Sequence, residues 1–343
     1  MSTITIGLDL GDRHSRFCEL SPQGTVLGEG RLATTRAGLA RQFEGRARCR
    51  VVCEVGTHSP WVSRLLAAWG HEILVANARQ VRLIYAADRK SDRIDAATLA
   101  RLGRLDPALL RPIRHRSAEA QAALAQLRAR DALVRVRTLL INHVRGAVKA
   151  TGNRLPATSA VAFARMAGPA IPPELQPAVA PLLLTIATVT DHIRTVAHQV
   201  EALARTQYPE TLQLRQVGGV GLLIALAFVL TVEDPTRFGK SREIGPYLGL
   251  CPRQADSGRY EPQLRISKRG DALLRRLLVR GAQYILGPFG PDCTLRRHGL
   301  GLAARGGKNG KKRAVIATAR RLAVLLHRLW VSGAVYEPNR QAA

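Results

Sequence analysis

The sequence predicts an α+β protein whose strands are confined to its N-terminal part and whose remainder is helical. Strand and helix patterns alternate through about the first hundred residues, and from about Ser117 apolar residues recur every three or four positions. With 343 residues, 46% of them hydrophobic, the chain is long enough for two or three domains. We expect a sheet domain over residues 1–112, a helical region over 113–207 and a mostly helical C-terminal domain over 208–343.

Three strand-like segments precede the first helix. They are "TITIGLDL", "RFCEL" and "TVLGEGRLATT", with the turn "SPQG" between the last two. A helix "RAGLARQFEGRA" follows, and the buried strands "CRVVCEV" and "HEILVAN" then flank the helix "SPWVSRLLAAWG" before a helical stretch that reaches Leu102. The order β-β-β-α-β-α-β-α is that of the ribonuclease H fold, a mixed sheet that carries acids at its strand ends.

The middle of the chain predicts two long helices. One begins at "AEAQAALAQLRARDALVRV" and the other at "LQPAVAPLLLTIATVTDHI", with the Pro- and Gly-rich break "MAGPAIPPE" between them. They could form an antiparallel hairpin or an oligomerising coiled coil. One helix face is basic and could contact phosphates or simply be solvated; it carries Arg128, Arg130, Arg135, Arg137 and Arg145.

The last third begins with a glycine-rich turn, "LRQVGGVGLLIALAFVL". This pattern fits a helix-hairpin-helix in which Gly219 and Gly221 let backbone amides approach a DNA phosphate, although any turn between helices can use glycine. The tail "RGGKNGKKRAVIATARRLAVLLHRLW" lacks the spacing of a nucleotide-binding P-loop. We expect a basic turn that leads into an amphipathic helix.

The charge of the chain predicts a nucleic-acid partner. Lysine and arginine number 52 against 25 acids, a net charge of +27. A GC-rich genome would explain the arginine bias but not the shortage of acids. Five scattered cysteines without a C-x-x-C pair favour neither disulfides nor zinc. The N-terminus has no signal-peptide pattern and the longest apolar run is short for a membrane span, so we expect a cytoplasmic, nucleoid-associated bacterial protein without a membrane partner.

Four acids are candidates for metal binding: Asp9, Glu54, Asp92 and Asp95. The first two end strands, and the last two are three apart and share a helix face. Clustered carboxylates repel one another unless cations lie between them, and Mg²⁺ prefers carboxylate oxygen, with Mn²⁺ as a substitute. The set predicts a two-ion phosphodiester site with ions about 4 Å apart.

Other interpretations of these acids stay open. Asp92 and Asp95 could pair with Arg89, Lys90 and Arg93 on an exposed helix. Asp12 and Asp88 are rival ligands.

Four segments together resemble the insertion-sequence one-ten family of transposases. They are "GLDLGDRHSRFCEL", "CEVGTHSPWVSRLLAAWGHEILVAN", "KSDRIDAATLARL" and "YLGLCPRQADSGRYEPQLRISKRGDALLRRLLVRGA". The resemblance covers nearly the whole chain. It implies a RuvC-like domain with a DEDD tetrad at the four acids, and a C-terminal transposase domain with a catalytic serine.

The serine implied by this resemblance is Ser257, within "DSG", where the family often has "SSG". Ser267 and Ser241 are the alternatives. A serine hydroxyl needs a base or a metal to activate it, so Ser257 would act beside the acidic site, in a composite site that two subunits could form together.

The resemblance also implies the partners. These are DNA, as element ends and target, and a structured noncoding guide RNA that pairs with both. Aromatic residues make up only 4% of the chain, which suits backbone contact better than base stacking. Arg253, Lys268 and Arg269 are candidate phosphate contacts, with plain surface charge as the alternative, and the long helices would assemble dimers or tetramers.

The sequence is also compatible with two rival functions. A RuvC-like junction endonuclease would use water as its nucleophile and leave Ser257 idle. A non-catalytic RNA- or DNA-binding scaffold would use none of the acids.

Overall fold

The computed structural model describes residues 3–77, 92–254, 264–307 and 309–339, with only the backbone of Asp92. The chain divides into two compact units, Met1–Arg116 and Ser117–Ala343. The first contains a five-stranded sheet in the order β3-β2-β1-β4-β5. Its strands are β1 Thr5–Asp9, β2 His14–Leu20, β3 Val26–Ala33, β4 Arg50–Glu54 and β5 Glu72–Ala76. The first three are antiparallel neighbours, whereas β4 runs parallel to both β1 and β5, so the predicted mixed sheet is confirmed.

Helices cover both faces of this sheet. They are α1 Arg36–Phe43, α2 Ser59–Ala68 and α3 Asp92–Leu105. Ile6 and Leu8 of β1 belong to one core cluster together with Phe43 of α1 and Leu66 of α2. Because side chains alternate along a strand, Gly7 points to the opposite face. There α3 packs.

Two long helices open the second unit, α4 Ala118–Ala150 and α6 Gln176–Gln207, with the short α5 Phe163–Ala167 between them. The Ser117 hydroxyl caps α4 by accepting from the amide of Ala120 at 3.0 Å. The start of α4 shares a core cluster with the end of α6, and the end of α4 shares another with the start of α6. The pair is therefore an antiparallel hairpin, one of the two arrangements expected.

The rest of the second unit is helical. Its helices are α7 Glu210–Leu214, α8 Leu222–Val232, α9 Ile244–Tyr247, α10 Ala272–Leu286, α11 Thr294–Ala304 and α12 Gly310–Ser332. Every residue of α8 from Ile224 to Val232 is buried, which places the longest apolar run of the sequence in the core. The amphipathic helix expected in the tail is α12, which buries Leu322 and Leu326 against this core. Within the described ranges, no helix has the length and apolar character needed to cross a membrane.

Candidate active site

Asp9 and Glu54 end two neighbouring parallel strands. Leu8 of β1 pairs with Cys53 of β4, so the acids occupy adjacent positions one step further along each strand. Both acids are half-buried. Because parallel strands point the same way, the two carboxylates lie at the same edge of the sheet.

A close approach between α3 and β1 shows on which face of the sheet Asp9 and Glu54 lie. A Cβ added at Gly7 would overlap the carbonyl oxygen of Ala96 and come within 2.5 Å of the amide nitrogen of Ala100. Asp9 is two residues after Gly7 and so shares its face. Glu54 stands in the same relation to Val52, whose side chain a Cβ at Gly103 of α3 would overlap. Both acids therefore belong to the face that α3 covers.

The direction of α3 brings its first turn to the same edge. In its last turn, the carbonyl of Gly103 accepts a hydrogen bond of 2.9 Å from the guanidinium of Arg50, which lies at the amino end of β4. The helix consequently begins near the carboxyl ends of the strands. Asp95, half-buried, lies in this first turn, one residue before Ala96.

Asp92 is the first residue of α3, but its side chain lies outside the described residues, as does the whole of Asp88. Of the cations considered as partners of Asp95 on an exposed helix, Arg93 is the one in the described part of the chain. It pairs instead with Glu29 of β3 at 2.6 Å. Among the side chains that the structure describes, no three from His, Cys, Asp and Glu are grouped as a ready-made metal site.

The rival ligand Asp12 lies beside a histidine. Its carboxylate, 93% exposed, is 3.6 Å from Nε2 of His58. The indole N–H of Trp61 donates to Nδ1 of His58 at 3.1 Å. Nδ1 is thus the acceptor nitrogen, and Nε2 carries the proton that faces Asp12.

A buried serine fixes the loop after Glu54, a feature that the sequence did not reveal. The Ser59 hydroxyl is 2.9 Å from both the amide nitrogen and the carbonyl oxygen of Gly56, and 2.9 Å from Nε2 of His115. Since the hydroxyl has one proton and gives it to the carbonyl, His115 donates from Nε2. Burial, together with Arg64 and Arg116, lowers the pKa of His115 and so favours its neutral form.

In the second unit, residues 255–263 lie outside the described part, and Ser257 is among them. Their two flanks are paired. Pro252 and Ile266 form a β-bridge, and the amide of Ser267 donates to the carbonyl of Cys251 at 2.9 Å.

The two alternative serines have structural contacts. The Ser267 hydroxyl lies 3.5 Å from the amide nitrogen of Arg269, and Ser241 is 3.0 Å from Nδ1 of the buried His327.

The motif "ISKRGD" builds the start of α10. Asp271 caps this helix by accepting from the amide of Leu274 at 2.9 Å, and it also binds Arg128 at 2.9 Å. Gly270 has φ +71°, which favours glycine. The candidate phosphate contacts Arg253, Lys268 and Arg269 are exposed around this turn.

The glycine turn between α7 and α8 requires glycine at one position. Gly219 has φ +86°, and a Cβ added there would lie 3.1 Å from the carbonyl oxygen of Gly281. Gly221 precedes α8 in an extended conformation, without a side-chain cap. Arg215 and Arg280 line a 410 Å³ cavity together with these glycines.

Comparison with known proteins gives one consistent result. A family model described as "Transposase" matches residues 6–152, and the model "Transposase IS116/IS110/IS902 family" matches residues 212–292. The chain is 28% identical over 332 residues to the transposase for insertion sequence element IS1111A of Coxiella burnetii, which covers 94% of this chain and 88% of that protein. It is 30% identical over 292 residues to the transposase for insertion sequence element IS1328 of Yersinia enterocolitica, with 82% and 83% covered. The chain belongs to the IS116/IS110/IS902 family of transposases.

Proposed function

We propose that this transposase cuts and rejoins DNA by a magnesium-dependent mechanism with a serine nucleophile, guided by a structured noncoding RNA. The first unit would be a RuvC-like domain that supplies the DEDD tetrad Asp9, Glu54, Asp92 and Asp95. Ser257 would attack the scissile phosphate. The products are an excised element and its insertion into target DNA.

The observation that carries this proposal is the common placement of three acids. Asp9 and Glu54 follow paired residues of parallel strands, on the face that α3 covers. Asp95 lies in the first turn of α3, which begins at that edge. A salt-bridged surface helix would explain Asp95 and its neighbours alone. It would not explain why Asp9 and Glu54, half-buried on two strands, lie at the same edge of the sheet as Asp95.

The donor set suits Mg²⁺, which takes carboxylate oxygen, and Mn²⁺ accepts the same ligands. When bound, the ions neutralise the charge that develops on the phosphate oxygens. The chain's own contribution is to hold Asp9 and Glu54 on a rigid sheet. The contact between Gly7 and Ala96 fixes the distance of α3 from the sheet, and with it the position of Asp95.

The proposed covalent step conserves the phosphodiester. Oγ of Ser257 forms a bond to phosphorus while the bond from phosphorus to one deoxyribose oxygen breaks. The serine proton passes to a carboxylate, which then gives it to the leaving deoxyribose oxygen, so the step needs no outside proton. A second DNA hydroxyl then attacks the phosphoserine and releases Ser257, so joining consumes no nucleotide.

Arginines would hold the nucleic acids. The net charge of +27 supports binding of element ends, target DNA and guide RNA through their backbones. Arg253, Lys268 and Arg269 would contact phosphates beside the serine segment, and Gly219 and Gly221 would do so in a helix-hairpin-helix. The hairpin of α4 and α6 would join subunits into dimers or tetramers as a coiled coil.

The metal role is tested with Asp9→Asn and Asp95→Asn, and with exposed Asp191→Asn as the matched control. Calorimetric titration with Mn²⁺ and strand transfer on element-end DNA are measured together. We expect both tetrad variants to lose strand transfer by at least about a hundredfold and to bind Mn²⁺ more weakly, because each removes a charged ligand. Strand transfer that survives both substitutions would refute the metal role.

The nucleophile is tested separately by replacing each candidate serine with alanine: Ser257, Ser267 and Ser241. A covalent protein–DNA adduct is trapped on element-end DNA and its peptide is sequenced. We expect Ser257→Ala alone to abolish the adduct. Cleavage without any adduct in the unsubstituted protein would favour the endonuclease in which water attacks, and DNA binding without cleavage would favour the scaffold.

A further inference from the structure

A basic cavity in the second unit has no role in the proposed chemistry. Its volume is 790 Å³, and it lies between α12 and the 3₁₀ turn Ser241–Glu243. Within the described part of the chain, its walls carry one acid, Glu337, and five cations: Lys240, Arg242, Arg320, Arg321 and Arg328. We propose that this cavity binds the phosphodiester backbone of a nucleic acid.

Among the described residues, none of the five cations forms an ion pair with an acid. Other arginines of the same unit do pair with acids at 2.7–2.9 Å, and these are Arg128, Arg194, Arg276 and Arg297. Like charges that share a cavity repel one another, so a bound polyanion would relieve this repulsion.

A neighbouring histidine responds to the same positive field. His298 lies on α11, which packs against α12. Burial lowers the pKa of His298, and Arg321, Arg305 and Arg320 lower it further. Two of these three arginines line the cavity.

The walls are held in place by buried contacts. His327, 2% exposed, is 2.9 Å from the carbonyl of Pro235 through Nε2 and 3.0 Å from Ser241 through Nδ1. Nε2 donates, so Nδ1 accepts the Ser241 proton, and this ties the 3₁₀ turn to α12. Arg320 packs its side chain on Gly245, where an added Cβ would lie 3.0 Å from Cγ.

The spacing and chemistry favour a nucleic-acid strand. Arg321 and Arg328 lie two turns apart on α12, about 10.5 Å along the helix axis, which spans more than a single phosphate. A guanidinium group can donate two parallel hydrogen bonds to the oxygens of one phosphate. The apolar residues of the cavity, Leu295, Val324 and Leu325, can lie against the sugars. An acidic peptide would use the charges but not this combination of spacing and apolar residues.

The test uses the full-length chain with a chelator present, so that cleavage chemistry does not contribute. Fluorescent DNA duplexes, single-stranded DNA and RNA of one sequence, each about 20 nucleotides long, are titrated at several salt concentrations. The variant is Arg321→Ala with Arg328→Ala. The matched control removes the same charge from exposed helix positions outside the cavity, with Arg165→Ala and Arg205→Ala.

We expect the cavity variant to bind at least one probe about tenfold more weakly and to lower its salt slope by about 1.4 to 1.8 for two lost contacts. The control variant should keep the original slope. The charge-conserving variant, Arg321→Lys with Arg328→Lys, should retain most of the slope, which separates charge from folding. Loss for RNA alone or DNA alone identifies the strand that the cavity holds.

A second readout is alkylation of Cys251, which lines the cavity. Bound probe should slow this reaction in the original chain and the control variant, but less in the cavity variant. Equal salt slopes for cavity and control variants, or a polyglutamate peptide that alone shows the sensitivity to Arg321 and Arg328, would overturn the proposal.

Discussion

Gly7 of β1 lies directly under the backbone of Ala96 in α3, so close that even a methyl group would collide with the helix. Through this contact the sheet and the helix that carry the proposed metal ligands meet without intervening side chains. Asp9 lies two residues after Gly7 and Asp95 lies one residue before Ala96, so this contact sets the distance between the two acids.

Gly7→Ala should therefore damage the site without changing any acid. The added Cβ would meet backbone atoms, which cannot rotate away, and we expect a loss of about 1–3 kcal/mol in the free energy of unfolding. Strand transfer should fall with it. Gly28→Ala on β3 is the control, because an added Cβ there has no atom within 4 Å. Equal denaturation midpoints for the two variants would contradict this reason for glycine.

His115 should make the protein sensitive to mild acid. Burial lowers its pKa from the ordinary 6.5 in the folded chain, so the unfolded chain binds the proton more readily. Neutral His115 therefore contributes its full stabilisation above pH 6.5, the ordinary histidine pKa. This stabilisation is lost as the pH falls below 6.5 and through the lower pKa of the folded chain. His115→Gln should flatten the fall of the unfolding midpoint as the pH is lowered below the ordinary histidine pKa of 6.5. His192→Gln, at an exposed position, is the control variant for loss of a histidine.

Asp271 should contribute to stability rather than to chemistry, although it belongs to the specific "ISKRGD" motif. Asp271→Ala removes the cap of α10 and the partner of Arg128, and we expect the unfolding free energy to fall by about 1–3 kcal/mol. Asp191→Ala, whose exposed partner Arg194 is three residues away, should cost less than about 0.5 kcal/mol. Chemical denaturation of both variants measures the difference. Asp271→Asn should retain most of the cap, because asparagine also accepts from helix amides.

Cys251 should be the first cysteine to react with iodoacetamide. It is partly exposed, whereas Cys18, Cys49, Cys53 and Cys293 are buried. Burial raises the pKa of Cys53 to about 12, so its reactive thiolate is scarce at neutral pH. Timed alkylation followed by peptide mass spectrometry gives the order. Early modification of Cys53 would show that the sheet opens readily.

The sheet and most helices could be predicted because their signals are local. Strand alternation at "TITIGLDL" and turn residues at "SPQG" act over a few positions, and the observed element order follows them. Asp9 and Glu54 were candidates for the same reason, since each follows an apolar strand. The clamp of Ser59 on Gly56 and His115 was missed, because Ser59 and His115 are 56 residues apart and no periodic pattern connects them.

The sequence by itself therefore determined the fold class, the family resemblance, the positive charge and the identity of the candidate acids. Tertiary structure decided which face of the sheet carries Asp9 and Glu54, and it placed the first turn of α3 at their edge. It also brought the cations near 240 and near 320 into the walls of one cavity, although about 80 residues separate them in the chain. Side-chain periodicity is a property of neighbouring residues and can therefore be recognised in the sequence. Contacts between distant residues depend on how whole helices and strands pack, which only the folded chain determines.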